Sequence, residues 1–127
     1  MQKIFLFFIF FAFHVSGHAQ DWLTFAETST GRWDFRAGTR DFSKNRGGEN
    51  IIFAEGRIFW KKDSKIEFVK WYAKVDDCNK GNGKLVTTNM SGDFQFDNDF
   101  VLNGGSVASS LADALCYPLR RQNERGI

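Results

Sequence analysis

The chain has 127 residues, of which 43% are hydrophobic and 25% charged, with a formal net charge of +2 and a single proline. That is too short for two ordinary domains and too apolar for a disordered chain.

The N-terminus reads Met1-Gln2-Lys3, then an almost wholly apolar run from Ile4 to Val15, then Ser16-Gly17-His18-Ala19-Gln20. One positive charge, a short apolar run and small residues at Gly17 and Ala19 predict a secretory signal peptide over 1–19, cut between Ala19 and Gln20. The run is shorter than the roughly 20 apolar residues a membrane span needs, and His14 interrupts it. No cysteine lies near the cut, so a lipoprotein is not expected, and the mature chain holds no transmembrane segment. The expected destination is export: periplasmic, secreted or at the cell surface.

Cleavage changes the available chemistry. Both histidines, His14 and His18, leave with the leader. Serine–histidine and cysteine–histidine catalysis need an imidazole to take the proton, and zinc sites lean on His or several Cys. The mature chain is therefore expected to be no enzyme and to carry no metal or cofactor. Any acid–base work would rest on carboxylates, Lys or Tyr alone. Losing Lys3 removes one of 17 basic residues and none of the 15 acidic ones, so the mature net charge is +1. A nucleic-acid partner is not expected, because such domains are usually strongly basic.

Two cysteines remain, Cys78 and Cys116. In an oxidising compartment the pair reads as one structural disulfide rather than two free thiols or a redox pair, which usually has Cys-x-x-Cys spacing. The bond would close a loop of about 39 residues, worth roughly 4 kcal/mol in the chain-entropy model.

Strand signals dominate the mature chain. Trp22–Ala26 is short and rich in aromatic and β-branched residues, and the polar Thr28–Gly31 stretch after it reads as a turn. Arg32–Ala37 alternates strictly, with Trp33, Phe35 and Ala37 on one face. Gly38 to Asn50 reads as a long exposed loop. Ile51–Lys61 places Ile52, Ala54, Ile58 and Trp60 together, and Gly56 inside it suggests a bulge. Ile66–Val75 aligns Val69, Trp71, Ala73 and Val75, and these two runs form a hairpin across Lys61–Lys65. Asn79–Gly83 supplies a further turn. Lys84–Met90 and Phe94–Val101 are the last strands, the latter aligning Phe94, Phe96 and Phe100.

The period then changes. Val107, Ala108, Leu111, Ala112 and Leu115 recur at helical spacing, Ser106 is the expected N-cap, and Pro118 is expected to end the helix. Residues 118–127 read as a flexible basic tail. The predicted fold class is α+β: one antiparallel meander of about six strands, with a C-terminal helix packed on one face and tied by one disulfide.

The second half carries a resemblance. Asp77-Cys78 closes a strand, Gly81 and Gly83 follow in a turn, Gly105-Ser106 opens a helix ending at Cys116, and Trp22 lies near the mature N-terminus. This order resembles the surface-adhesin protein E family of small exported bacterial proteins, over roughly Trp22 to Cys116, within a domain of 20–117. The resemblance implies an antiparallel sheet backed by a helix and a non-enzymatic role. It also implies host matrix or plasma proteins as ligands. The chain departs from the pattern in lacking a lipidation cysteine.

The candidate binding patch is Arg32, Trp33, Arg36, Arg40, Lys44 and Arg46, where basic side chains alternate with aromatics that include Phe35 and Phe42. Such a mixture grips acidic protein surfaces by charge-assisted hydrogen bonds and stacking. The plainer alternative is a solvated loop balanced by Asp34, Asp41 and Glu49. Asp93, Asp97 and Asp99 invite a calcium reading, but counting from Asp97 places Val101 where the EF-hand loop needs an oxygen ligand. Asp76-Asp77 is adjacent on a supposed strand, so its carboxylates point to opposite faces. Asn89-Met90-Ser91 is a glycosylation sequon, meaningful only in a eukaryotic source. The expected function is an exported binding protein for a host or other protein surface, with a periplasmic inhibitor or accessory protein as the second reading.

Overall fold

The computed structural model describes residues 21–126; the expected leader over 1–19 and its cut before Gln20 lie outside them. Seven strands form one antiparallel sheet: β1 (Trp22–Glu27), β2 (Gly31–Arg36), β3 (Asp41–Lys44), β4 (Asn50–Trp60), β5 (Lys65–Lys74), β6 (Asn82–Thr88) and β7 (Phe94–Val101). Helix α1 (Val75–Lys80) joins β5 to β6, and α2 (Val107–Gly126) ends the chain. The strand order is β1-β2-β4-β5-β6-β7, with β3 also on β4. The α+β architecture read from the sequence is thus the one observed, including its disulfide.

Strand β4 organises the sheet. On one flank it pairs with β5 from Ile51↔Lys74 to Trp60↔Lys65, the expected hairpin. On the other flank it takes two strands in succession: Gly31–Phe35 against Trp60–Gly56, then Asp41–Lys44 against Phe53–Asn50. Strand β3 therefore lies inside the segment 38–50 expected as loop. Its polar composition hides it, because what holds it is the free backbone flank of Ile51–Phe53 rather than burial of its own side chains. Between β2 and β3 the ladder is broken, and Thr39 bridges the gap. Its hydroxyl donates to the Arg36 carbonyl at 2.8 Å and accepts the Glu55 amide at 3.0 Å.

Alternation sets the core as expected. Phe35, Ile52, Ala54, Ile58, Val69, Trp71, Ala73, Leu85 and Phe100 all meet Leu111, Ala112, Leu115 and Cys116 of α2 on one face of the sheet. Two details of the expectation are corrected. Gly56 marks no bulge; its pairing with Phe35 and Val69 is regular. A side chain there would strike the Trp71 indole and come within 2.6 Å of the Asp34 carbonyl, so glycine is what lets Trp71 lie on the strand. Of Phe94, Phe96 and Phe100, only Phe100 is buried, and the pairing of β6 with β7 shifts between Thr87 and Thr88.

Cys78 does not end a strand. It sits in α1, a helix too short to show a period and entered through the β-branched Val75, which reads as more strand. Gly81 ends α1 at φ +89, its amide bonded to the Asp77 carbonyl at 2.9 Å. Gly83 is then forced, because a Cβ there would land on the Asp77 carboxyl, which accepts the Lys84 amide at 3.3 Å. The Cys78–Cys116 bond therefore joins two helices, with a Cα–Cα distance of 5.4 Å and both residues buried.

At the start of α2, Ser106 caps as expected, its hydroxyl accepting the Ser109 amide at 3.0 Å. The end differs from expectation: the helix passes Pro118 and runs to Gly126. Proline has no N–H to offer the carbonyl four residues back. That carbonyl, on Ala114, instead accepts Arg40 Nη1 at 2.8 Å. A side chain 74 positions earlier supplies the donor the helix lacks. No helix among the described residues is long and apolar enough to cross a membrane.

Candidate functional site

Both helices pack on the core side of the sheet. Among the described residues nothing covers the opposite face, where β1, β2, β4 and β5 present Trp22, Arg32, Asp34, Arg36, Phe53, Arg57, Phe59, Phe68, Lys70 and Tyr72 in register. This bare face has two ends with different chemistry.

At the first end Asp34 is 1% exposed although it sits on the uncovered face. Its carboxylate accepts Arg57 Nε at 2.8 Å, Thr24 Oγ1 at 2.8 Å and Arg32 Nε at 3.3 Å. Burial works to raise the Asp34 carboxyl. The hydrogen bonds from Arg57 and Thr24 and the charges of Arg32 and Arg57 outweigh it and hold the group below the ordinary aspartate value. The guanidiniums are covered by rings: Arg57 lies 4.3 Å from the Trp22 ring centre, Arg36 lies 5.8 Å from it, and Arg32 is 5.1 Å from Phe59. Trp22 also meets Phe68 with centroids 6.0 Å apart. Such cation–π contacts hold guanidiniums flat against aromatic surface. The nearest carboxylates to Arg36, on Glu55 and Asp21, are 3.9 and 4.0 Å away, beyond hydrogen-bond reach.

At the second end the β3–β4 and β6–β7 turns rise on either side of a basin of about 400 Å³. Its floor is Ile51, Phe53 and Tyr72, and Phe94 stands at its wall. Two cations, Arg46 and Lys70, stand over it, while Lys44 at its rim turns its Nζ to Asn50 Oδ1, at 2.8 Å, on the other face of the sheet. Arg46 pairs with Asp93 at 3.1 Å across the two turns. Lys70 is half-buried and makes no ion pair among the described residues. Asn89 shapes the second turn by accepting the Ser91 and Asp93 amides at 2.9 and 3.0 Å, so the sequon residue is engaged in local structure.

The six residues of the predicted patch do not form one site. Arg32 and Arg36 belong to the first end of the bare face and Arg46 to the basin, while Lys44 only borders the basin and bonds Asn50 on the other face. Trp33 lies on the core side, edge-on to Trp60 at 5.9 Å, and Arg40 is committed to the Ala114 carbonyl. The alternation of β2 already places Trp33 opposite its charged neighbours, but membership of the loop residues depends on β3, which is invisible in composition. Arg57, Lys70, Phe53 and Tyr72 escaped notice because strand pairing brings them in from β4 and β5. The remaining carboxylates are spread out. Asp99 pairs with Lys84 at 2.7 Å on the bare face, and Asp77 is tucked under β6. Asp76 and Asp77 sit on α1, not on a strand.

Comparison with family models, with curated proteins and with solved structures finds no significant match for this chain.

Proposed function

We propose that the protein is an exported, non-enzymatic binding protein that docks an acidic protein surface on the Trp22–Arg57 end of its bare sheet face. One observation carries the reading: two guanidiniums, of Arg57 and Arg32, are fixed by a single buried carboxylate and overlaid by Trp22 and Phe59 respectively, on a sheet face left open by both helices. Aromatic and arginine side chains are enriched in protein interfaces and supply most hot spots. Here both kinds are already ordered, so little side-chain freedom is lost on binding. Arg32 and Arg57 bond Asp34 through Nε, and Arg36 makes only long pairs, which leaves Nη donors for a partner's carboxylates. Phe68 and Ile66, 54% and 48% exposed beside this cluster, provide the apolar rim.

The resemblance to the surface-adhesin protein E family directs the choice of partner to host matrix or plasma proteins. Export rests on the apolar leader and on the disulfide. The test is surface plasmon resonance of the oxidised mature chain over a panel of those proteins, with the double variant R36E/F68S as control. Both side chains are exposed, so the fold is retained, and affinity for the bound panel member falls at least tenfold. Unchanged affinity in the variant, or no binding to any panel member, overturns the proposal.

A further inference from the structure

The basin at the other end of the bare face is built differently, and nothing in the docking reading above uses it. Its volume, about 400 Å³, lies within the range of small-molecule sites. Three rings, Phe53, Tyr72 and Phe94, present apolar surface, which suits a flat apolar body. Arg46 and Lys70 line that surface and, among the described residues, no carboxylate residue does; Arg46 is met at the rim by Asp93. Asp93 is fully engaged by Arg46, whose hydrogen bond, followed by that of Asn89, lowers its carboxyl below the ordinary value.

Lys70 is the informative residue. Its cross-strand neighbour on β4 is Glu55, whose carboxylate lies nearest Arg36 at 3.9 Å instead. Its neighbour on β6 is Thr88, which donates its hydroxyl to the Asn89 carbonyl. Lys70 thus lines the basin with Phe53, Tyr72 and Phe94 and has no carboxylate partner among the described residues, which leaves its charge available to an anionic ligand. Three other lysines on or beside the sheet do pair with carboxylates: Lys61 with Glu27, Lys74 with Glu49 and Lys84 with Asp99.

We propose that the basin binds a small aromatic acid, with the ring on Phe53 and Tyr72 and the carboxylate on Lys70, beside Arg46 of the turn. The anion supplies the missing counter-charge, and the ring replaces water on the aromatic floor. Selectivity for the acid over a neutral ring of the same size follows, since the neutral ring leaves Lys70 unpaired.

The experiment is titration of the oxidised mature chain with phenylacetate, and with benzyl alcohol as the neutral counterpart, at constant ionic strength. Amide chemical shifts locate the ligand and give the affinity. Phenylacetate is expected to shift Phe53, Lys70, Thr88 and Gly92 and to bind at least tenfold tighter than benzyl alcohol. Lys70→Gln weakens phenylacetate at least fivefold with an unchanged melting temperature. If that variant unfolds, Arg46→Gln, on an exposed turn, gives the second reading and weakens binding at least twofold. No binding at 10 mM ligand (roughly the weak limit of useful recognition), equal affinity for acid and alcohol, or shifts confined to Trp22 and Arg57 overturns the proposal. The R36E/F68S variant binds phenylacetate normally, so failure of the docking surface and failure of the basin are told apart.

Discussion

Asp34 shows how a single carboxylate can organise a surface. Read from the sequence it is one of several acids that balance a basic stretch, and that is true of its charge but not of its position. Alternation along β2 sends it to the bare face with Arg32, and the pairing of β2 with β4 brings Arg57 directly opposite. Replacing it by asparagine keeps the shape and removes the charge that two guanidiniums share. Stability at pH 7 is expected to fall by about 1–3 kcal/mol, the usual cost of breaking a charged hydrogen-bond set. The pH dependence has a definite sign. The folded carboxyl titrates below its unfolded value of about 3.9, so its contribution is fully present above that pH and is lost as pH falls through the folded value. Urea unfolding of wild type and Asp34→Asn should therefore show a constant gap from neutral pH down to about 4, closing at more acid pH. A gap independent of pH would mean that shape, not charge, is what Asp34 contributes.

At the level of elements, the strands with strong alternation and the capped start of α2 were legible, because each is set by neighbours in the sequence. Three features were not. Strand β3 depends on an open flank of β4, α1 is six residues long and masked by Val75, and the continuation of α2 past Pro118 depends on Arg40. The last of these makes a coupled prediction. Arg40→Ala leaves the Ala114 carbonyl without a donor and should cost about 0.5–1.5 kcal/mol. In a Pro118→Ala background the new amide serves that carbonyl, so the same Arg40→Ala change should cost clearly less. A double-mutant cycle by chemical denaturation reads the difference. Equal costs in both backgrounds would show that the arginine is incidental to the helix.

For the molecule as a whole, the fold class was readable because one buried face, one helix and one cysteine pair leave few arrangements. The site was not, because its residues come from β1, β2, β4 and β5 and meet only when the sheet pairs. The covalent bridge between α1 and α2 should weigh heavily in so small a domain. Cys78→Ala with Cys116→Ala is expected to lower the unfolding free energy by about 4 kcal/mol on the chain-entropy model, measured by urea denaturation. Burial adds a kinetic corollary, since Cys78 is 3% exposed and Cys116 is 0% exposed. With α1 held against α2 by the fold, the joined sulfurs are out of a reductant's reach until that docking is undone. The bond is thus a latch sealed from outside: the folded chain offers a reductant no sulfur until its two helices part.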